Sequence, residues 1–282
     1  MLLSSKPRRL KSALLCLALG LCGCGAEQYE TRLKQSKDYF NYLDKIEQNL
    51  AVKWTDGRVV ELLRVPKQFM AIPAPLPVKN EEGQEELPAV DPRQPNYLNL
   101  LFPTAELIGA WEAPFGVVAA DGSADTRTAY IYVLSNYWKF ATEDNAEALK
   151  FIGATVQLVG DALEEHLPPE KLERPDLELH PKRGKYLPES SYNVYTFPPK
   201  PITLRSTERE TTVNYTFTMY AKQNGNIQAI VLVVLPDNIS SQEKLVERIP
   251  MMLEHFQITR TEPKPSQGGA QQGPAQNSPV GF

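Results

Sequence analysis

Two β-rich runs on either side of Asn224-Gly225 constrain this chain more than any other stretch. Residues 211–222 alternate threonines with Val213, Tyr215, Phe217 and Met219, and residues 226–235 carry Ile227-Gln-Ala-Ile-Val-Leu-Val-Val-Leu235. An Asn-Gly pair accepts the positive φ of a tight turn, so the two runs predict an antiparallel hairpin. The second run has no polar face, and a strand apolar on both sides must be covered on both, which predicts a central strand. Any fold for this chain has to bury that strand.

The remaining segments supply the cover. Residues 27–52 place Tyr29, Leu33, Phe40, Leu43 and Leu50 three, four or seven apart, the spacing of an amphipathic helix on the order of 35 to 40 Å long. Its stripe is open to two uses, packing on its own domain or pairing with another helix as a short stalk. Trp54-Thr55-Asp56-Gly57 reads as a turn into a strand over 59–65, which Pro66 ends. The proline-rich, acidic run 73–95 predicts a long surface excursion without ladder or helix. Strands are expected at 115–120 and 128–134, joined through Asp121-Gly122-Ser123-Ala124-Asp125, whose two aspartates lack the spaced oxygens of a calcium loop.

A helix over 144–167 follows, with Asp144 and Glu147 at capping-box spacing and a stripe of Leu149, Ile152, Val156, Val159 and Leu163. Gly153 and Gly160 are expected to allow close approach to the sheet. Residues 170–190, with Lys182, Arg183 and Lys185, read as a solvated loop, and further strands are expected at 192–197 and 202–204. Ser240 and Glu243 repeat the capping-box spacing ahead of a helix that Pro250 should kink or split. From Thr261 the chain is Pro, Gln, Gly and Ser, a composition that cannot offset its ordering entropy. The order helix, strand, hairpin, helix, hairpin, helix is α+β, an antiparallel sheet packed with helices and preceded by a long amphipathic helix. The expected domains are 1–23, 24–53, 54–258 with an insertion at 73–95, and a disordered tail over 259–282.

The N-terminus reads as an export signal. Lys6, Arg8, Arg9 and Lys11 precede an apolar run over 13–21, too short for the roughly 20 residues of a membrane span. Leu21-Cys22-Gly23-Cys24 resembles the bacterial lipobox. That resemblance implies cleavage after Gly23, a diacylglycerol thioether on Cys24, and an acyl chain such as palmitate on its new amino group. Gly25, rather than Asp, after the cysteine resembles lipoproteins sent to the outer membrane, facing the periplasm, rather than those kept at the inner membrane. Cys16 and Cys22 would leave with the signal, so no thiol would remain for a disulfide or a nucleophile.

Cleavage removes four of the 30 basic residues and none of the 34 acidic ones, leaving 26 against 34, a net charge of −8. Such a chain is a poor partner for nucleic acid, so membrane contact is expected from the lipid anchor and further contact from an envelope protein. Oligomeric state stays open. No catalytic, cofactor or metal residue stands out. His166, His180 and His255 lie in separate contexts without ligand spacing, and no phosphate-binding glycine loop is present. A noncatalytic binding or structural domain is therefore expected. The alternative is a lipid or small-ligand carrier, with an apolar pocket between the sheet and the helix over 144–167, suggested by Gly153, Ala154 and Gly160. Less favoured is an enzyme whose carboxylate pair assembles only in three dimensions.

Leu62-Leu63-Arg64-Val65-Pro66-Lys67-Gln68-Phe69 resembles the early strand, proline and aromatic of the PsbP-like family, and the late hairpin with a helix ending at Phe256 is similar to that family's C-terminal half. The resemblance spans about 59–258 and implies a PsbP-like sandwich with a noncatalytic role in binding or assembly. It carries no site residues across. The proline-rich insertion and the long first helix depart from the compact family pattern.

Overall fold

The computed structural model describes residues 8–79, 84–86, 88, 90–118, 122–142, 145–181, 185–205 and 210–263, of which 8–26, 85–86, 142, 204–205 and 210–211 are described by their backbone only. Glu81, Asp121, Asp144, Lys182, Arg183 and 264–282 lie outside these residues, and with them fall the expected cap at 144, part of the basic cluster and most of the tail. The chain forms two compact units, Met1–Asn49 and Leu50–Phe282.

The first unit is one helix, α1 (Arg8–Asn49), which runs unbroken from the basic N-terminal residues through Cys24. Residues 27–37 are exposed on every side, including Tyr29 and Leu33 of the stripe. The helix stops at Asn49, three residues short of its expected end, because Leu50 leaves it to bridge Pro66. Among the described residues no helix is long and apolar enough to cross a membrane.

The second unit is α+β and antiparallel. In chain order its strands are β1 (Val60–Leu62), β2 (Met70–Ile72), β3 (Val78–Lys79), β4 (Glu85–Glu86), β5 (Leu107–Val118), β6 (Ala124–Ser135), β7 (Asp176–His180), β8 (Ser190–Thr196), β9 (Lys200–Arg205), β10 (Glu210–Asn224), β11 (Ile227–Pro236) and β12 (Gln257–Ile258). Its helices are α2 (Lys139–Thr142), α3 (Asn145–Ala148), α4 (Phe151–Leu163), α5 (Pro169–Glu173) and α6 (Leu245–Glu254), with a 3-10 turn at Ser241–Glu243. The main sheet runs β2-β5-β6-β11-β10-β8-β7, with β9 also on β10, and β1 pairs with β12 apart from it. Every pairing in the main sheet is antiparallel.

The β10–β11 hairpin forms as the sequence predicts, with Gly225 at φ +63 and Asn224 opposite Ile227. β11 sits between β6 and β10, and nine of its ten residues are buried, because both faces of the sheet are covered. Ile230, Leu232 and Val234 join Phe217, Met219 and Tyr215 under α4, whose Phe151, Val156, Val159 and Leu163 complete that layer. Val231 and Val233 point the other way and are equally buried.

Several elements depart from expectation for physical reasons. β1 is only three residues long, because Leu63 is taken by a bridge to Trp54. The Asp56 carboxylate accepts the amides of Arg58, Val59 and Val60, so the turn at Gly57 is held by a side chain rather than by a strand pair. Within 73–95, β3 and β4 form a small ladder, because the stretch between Pro77 and Pro88 contains no proline to interrupt it. The expected helix over 144–167 is two pieces, α3 and α4, and ends at Leu163. Asn136 Nδ2 donates to the Ala148 carbonyl and Gln228 Nε2 to the Leu149 carbonyl, so these carbonyls close on the sheet and the long helix begins only at Phe151. Pro168-Pro169 ends nothing further but opens α5, with Pro169 at the first helical position.

β7 occupies part of what reads as a loop. It lies at the sheet edge with Leu177 and Leu179 exposed and the polar Glu178 and His180 turned inward, so it carries no buried apolar face to reveal it. Ser240 caps the 3-10 turn through the Gln242 amide, not an α-helix, and α6 then continues through Pro250.

Candidate functional site

At the β7 end of the sheet, pleating brings Glu178, His180, Ser190 and Tyr192 to one face. His180 lies opposite Ser190 and Glu178 opposite Tyr192 in the β7–β8 register. Lys222 of β10 reaches the same place, its ammonium 5.5 Å from the Tyr192 ring centroid and 6.0 Å from that of Phe256. The C-terminal end of α6 closes over this face. Tyr192 Oη donates to the Leu253 carbonyl at 2.7 Å, and Lys222 Nζ donates to the Phe256 carbonyl at 2.6 Å and to Ser190 Oγ at 3.0 Å.

Lys222 opens into a hollow of about 230 Å³ bordered by Glu61, Ser190, Asn224, Glu254 and Ile258. Two influences act on its charge. The Phe256 carbonyl and the aromatic faces favour the ammonium, whereas burial removes water that would solvate it. Burial wins and pushes Lys222 down to about 8. Burial also pushes the neighbouring Tyr192 and Tyr220 hydroxyls up, Tyr220 to about 12. At neutral pH the face thus holds one mostly protonated ammonium that releases its proton more readily than an ordinary lysine, among phenols that keep theirs.

The histidines do not converge on one centre. His180 is buried, with Nε2 3.0 Å from Glu178 Oε2 and its ring edge-on to Tyr192. His166 is exposed, 3.7 Å from Asp161. His255 Nδ1 lies 2.7 Å from the Met251 carbonyl, and burial pushes its pKa down despite that contact. Among the described residues no group of three His, Cys, Asp or Glu side chains could hold a metal ion. Asp125 is engaged by Arg127 at 2.9 Å, beneath a side chain that is 1% exposed.

Cys24 lies on the helical backbone of α1. Lys34, Lys37 and Lys45 on the same helix are exposed. Phe69 is buried and its ring sits 5.9 Å from that of Phe115, while Met70 beside it is exposed. Gly153 and Ala154 face outward from α4, and a Cβ on Gly153 would meet nothing within 4 Å. Gly160 does make a close approach, but to the returning chain rather than to the sheet as expected. A Cβ there would lie 2.8 Å from the Glu165 carbonyl oxygen and 3.6 Å from Phe197, so the glycine lets the chain fold back over the end of α4. A second hollow of about 390 Å³ lies among Glu170, Lys171, Glu173 and Arg174 of α5 and its C-terminal cap, so both hollows lie away from the interface of α4 and the sheet.

Lys222 escapes notice in the sequence because a lone lysine near a turn resembles any solvated residue. The signal for it lies in β11. A strand buried on both faces implies that both faces of its partner β10 are covered nearby, including the face of Tyr220 and Lys222. No protein-family model matches the chain, and no curated protein shows significant sequence similarity to it.

Proposed function

We propose that this is a lipid-anchored protein of the bacterial cell envelope, tethered through Cys24, whose α+β domain has a noncatalytic binding or structural role. The observation that carries this reading is the exposed stripe of α1 directly after the lipobox. Tyr29, Leu33 and Phe40 are 68%, 57% and 62% exposed, a cost in contact with water that a partner surface would remove. The anchor confines that stripe to a membrane surface, where confinement raises the effective concentration of any neighbouring protein and lets weak contacts suffice. The PsbP-like resemblance supports the same assignment, since it implies binding or assembly rather than catalysis. Gly25 after the cysteine favours the outer membrane.

Replacing Cys24 with Ser and fractionating the cells tests the anchor. The parent protein is expected in the membrane fraction, carrying thioether lipid, and the variant is expected to be released. Retention of an unacylated variant in the membrane would contradict the anchor.

A further inference from the structure

We propose that the Lys222 side chain is a covalent capture site for small neutral aldehydes, which it takes up as an imine in the hollow bordered by Glu61, Ser190 and Glu254. The inference goes beyond the anchoring role, and its failure leaves Cys24 and α1 untouched.

Four features of the site support it. The hollow, at about 230 Å³, admits a molecule of a few carbon atoms to a lysine otherwise packed among rings. Burial leaves roughly one part in ten of Lys222 as free amine at pH 7, given its position near 8, whereas an ordinary lysine holds far less. The surroundings also suit the product. The Nζ lone pair attacks the carbonyl carbon, a proton passes from nitrogen to oxygen to give a carbinolamine, and water leaves as the C=N bond forms. The sum is amine plus aldehyde giving imine plus water, with no oxidant or reductant. A protonated imine keeps one N–H, which the Phe256 carbonyl accepts, and its charge stays over the Tyr192 and Phe256 faces. Ser190 Oγ, 3.0 Å from Nζ, is placed to pass the proton.

The charged groups that border the amine select the ligand. Glu61 comes from β1 and Glu254 from α6, β8 and β10 contribute Ser190, Tyr192 and Asn224, which are neutral at pH 7, and β7 beside them carries Glu178, held 3.0 Å from His180. Two carboxylates at the rim disfavour an anionic aldehyde such as glyoxylate and leave a neutral one unopposed.

The test treats the full mature chain with butyraldehyde and cyanoborohydride at pH 7 and reads each lysine by peptide mass spectrometry. Lys222 is expected to be alkylated about tenfold faster than the exposed Lys34, Lys37 and Lys67, with the advantage shrinking as pH rises toward about 10, where an ordinary amine also becomes free. Glyoxylate is expected to label Lys222 about tenfold more slowly than butyraldehyde, and Glu61→Gln with Glu254→Gln to narrow that gap. Ser190→Ala is expected to slow butyraldehyde labelling at Lys222 alone. Labelling of Lys222 no faster than that of the exposed lysines overturns the site. Equal labelling by both aldehydes overturns the charge selection.

Discussion

Helices α4 and α1 both carry apolar stripes, but that of α4 is packed on the sheet, whereas that of α1 is exposed at Tyr29, Leu33 and Phe40 and becomes buried only toward its end, at Ile46 and at Leu50 just beyond it. In α4 the stripe of Phe151, Val156, Val159 and Leu163 is buried against the sheet, and the helix is tied at its end by Lys200, whose Nζ donates to the Leu163 carbonyl at 2.6 Å. In α1 the residues from 27 to 37 are exposed around the whole circumference. An amphipathic pattern therefore says that a helix has a face to cover, and only the surroundings say whether the same chain covers it. On the proposed anchoring role, α4 serves stability and α1 serves association.

The largest effect is expected where the stripe is buried. Leu163→Ala should destabilise the protein by about 2 to 5 kcal/mol, since it removes a fully buried side chain from close-packed surroundings. Urea unfolding of the two proteins measures this, and a loss well below that range would mean that α4 does not carry the core. Next comes Gly160→Ala, expected to cost about 1 to 3 kcal/mol because its Cβ would press on the Glu165 backbone oxygen.

A pH-resolved effect is expected at the other face of the sheet. The folded Lys222 loses its proton near 8, below an unfolded lysine at about 10.4, so between those values the unfolded chain binds more protons. This lysine's contribution therefore makes stability rise with pH over that window. Above about 10 the buried tyrosines reverse the trend, since Tyr215 and Tyr220 are pushed up to about 12 and the unfolded chain then binds fewer protons. Compared with Lys222→Met by urea midpoint, the parent is expected to gain on the variant from pH 7.5 to pH 9.5. A constant gap would show that the lysine is not held near 8.

Smaller still is Gly153→Ala, which should stabilise by about 0.5 to 1 kcal/mol, because this glycine lies in a helix, faces open space and needs no special backbone. Leu33→Ala on α1 should change thermal stability by less than about 0.5 kcal/mol. The opposite ordering, Leu33 costly and Leu163 cheap, would dissolve the distinction between the helices.

The fold is most legible in the sequence where local chemistry and burial agree. Asn224-Gly225 and the unbroken apolar run of β11 announce both the hairpin and its central position through residues that are neighbours in the chain. It is least legible where distant groups decide. The break between α3 and α4 follows from Asn136 and Gln228, which come from the ends of β6 and β11 to take the Ala148 and Leu149 carbonyls. β7 hides because its alternation is inverted, with Leu177 and Leu179 facing out and Glu178 and His180 facing in. Gly153 and Gly160 look alike in sequence, yet one faces open space and the other the returning chain. The Lys222 hollow is assembled from β1, β8, β10, α6 and β12, so no local window contains it.

Whether α1 is a face for association at a membrane is decided most directly by crosslinking in living cells. Photoreactive residues are placed singly at Tyr29, Leu33, Phe40, Lys34 and Lys45, in the acylated protein and in Cys24→Ser. One discrete protein adduct is expected from positions 29, 33 and 40 of the acylated form, weak or absent from 34 and 45 on the opposite side of the helix, and reduced when the anchor is removed. Adducts equal at all five positions, or none at the stripe while the domain is folded and anchored, would contradict an associating role for α1.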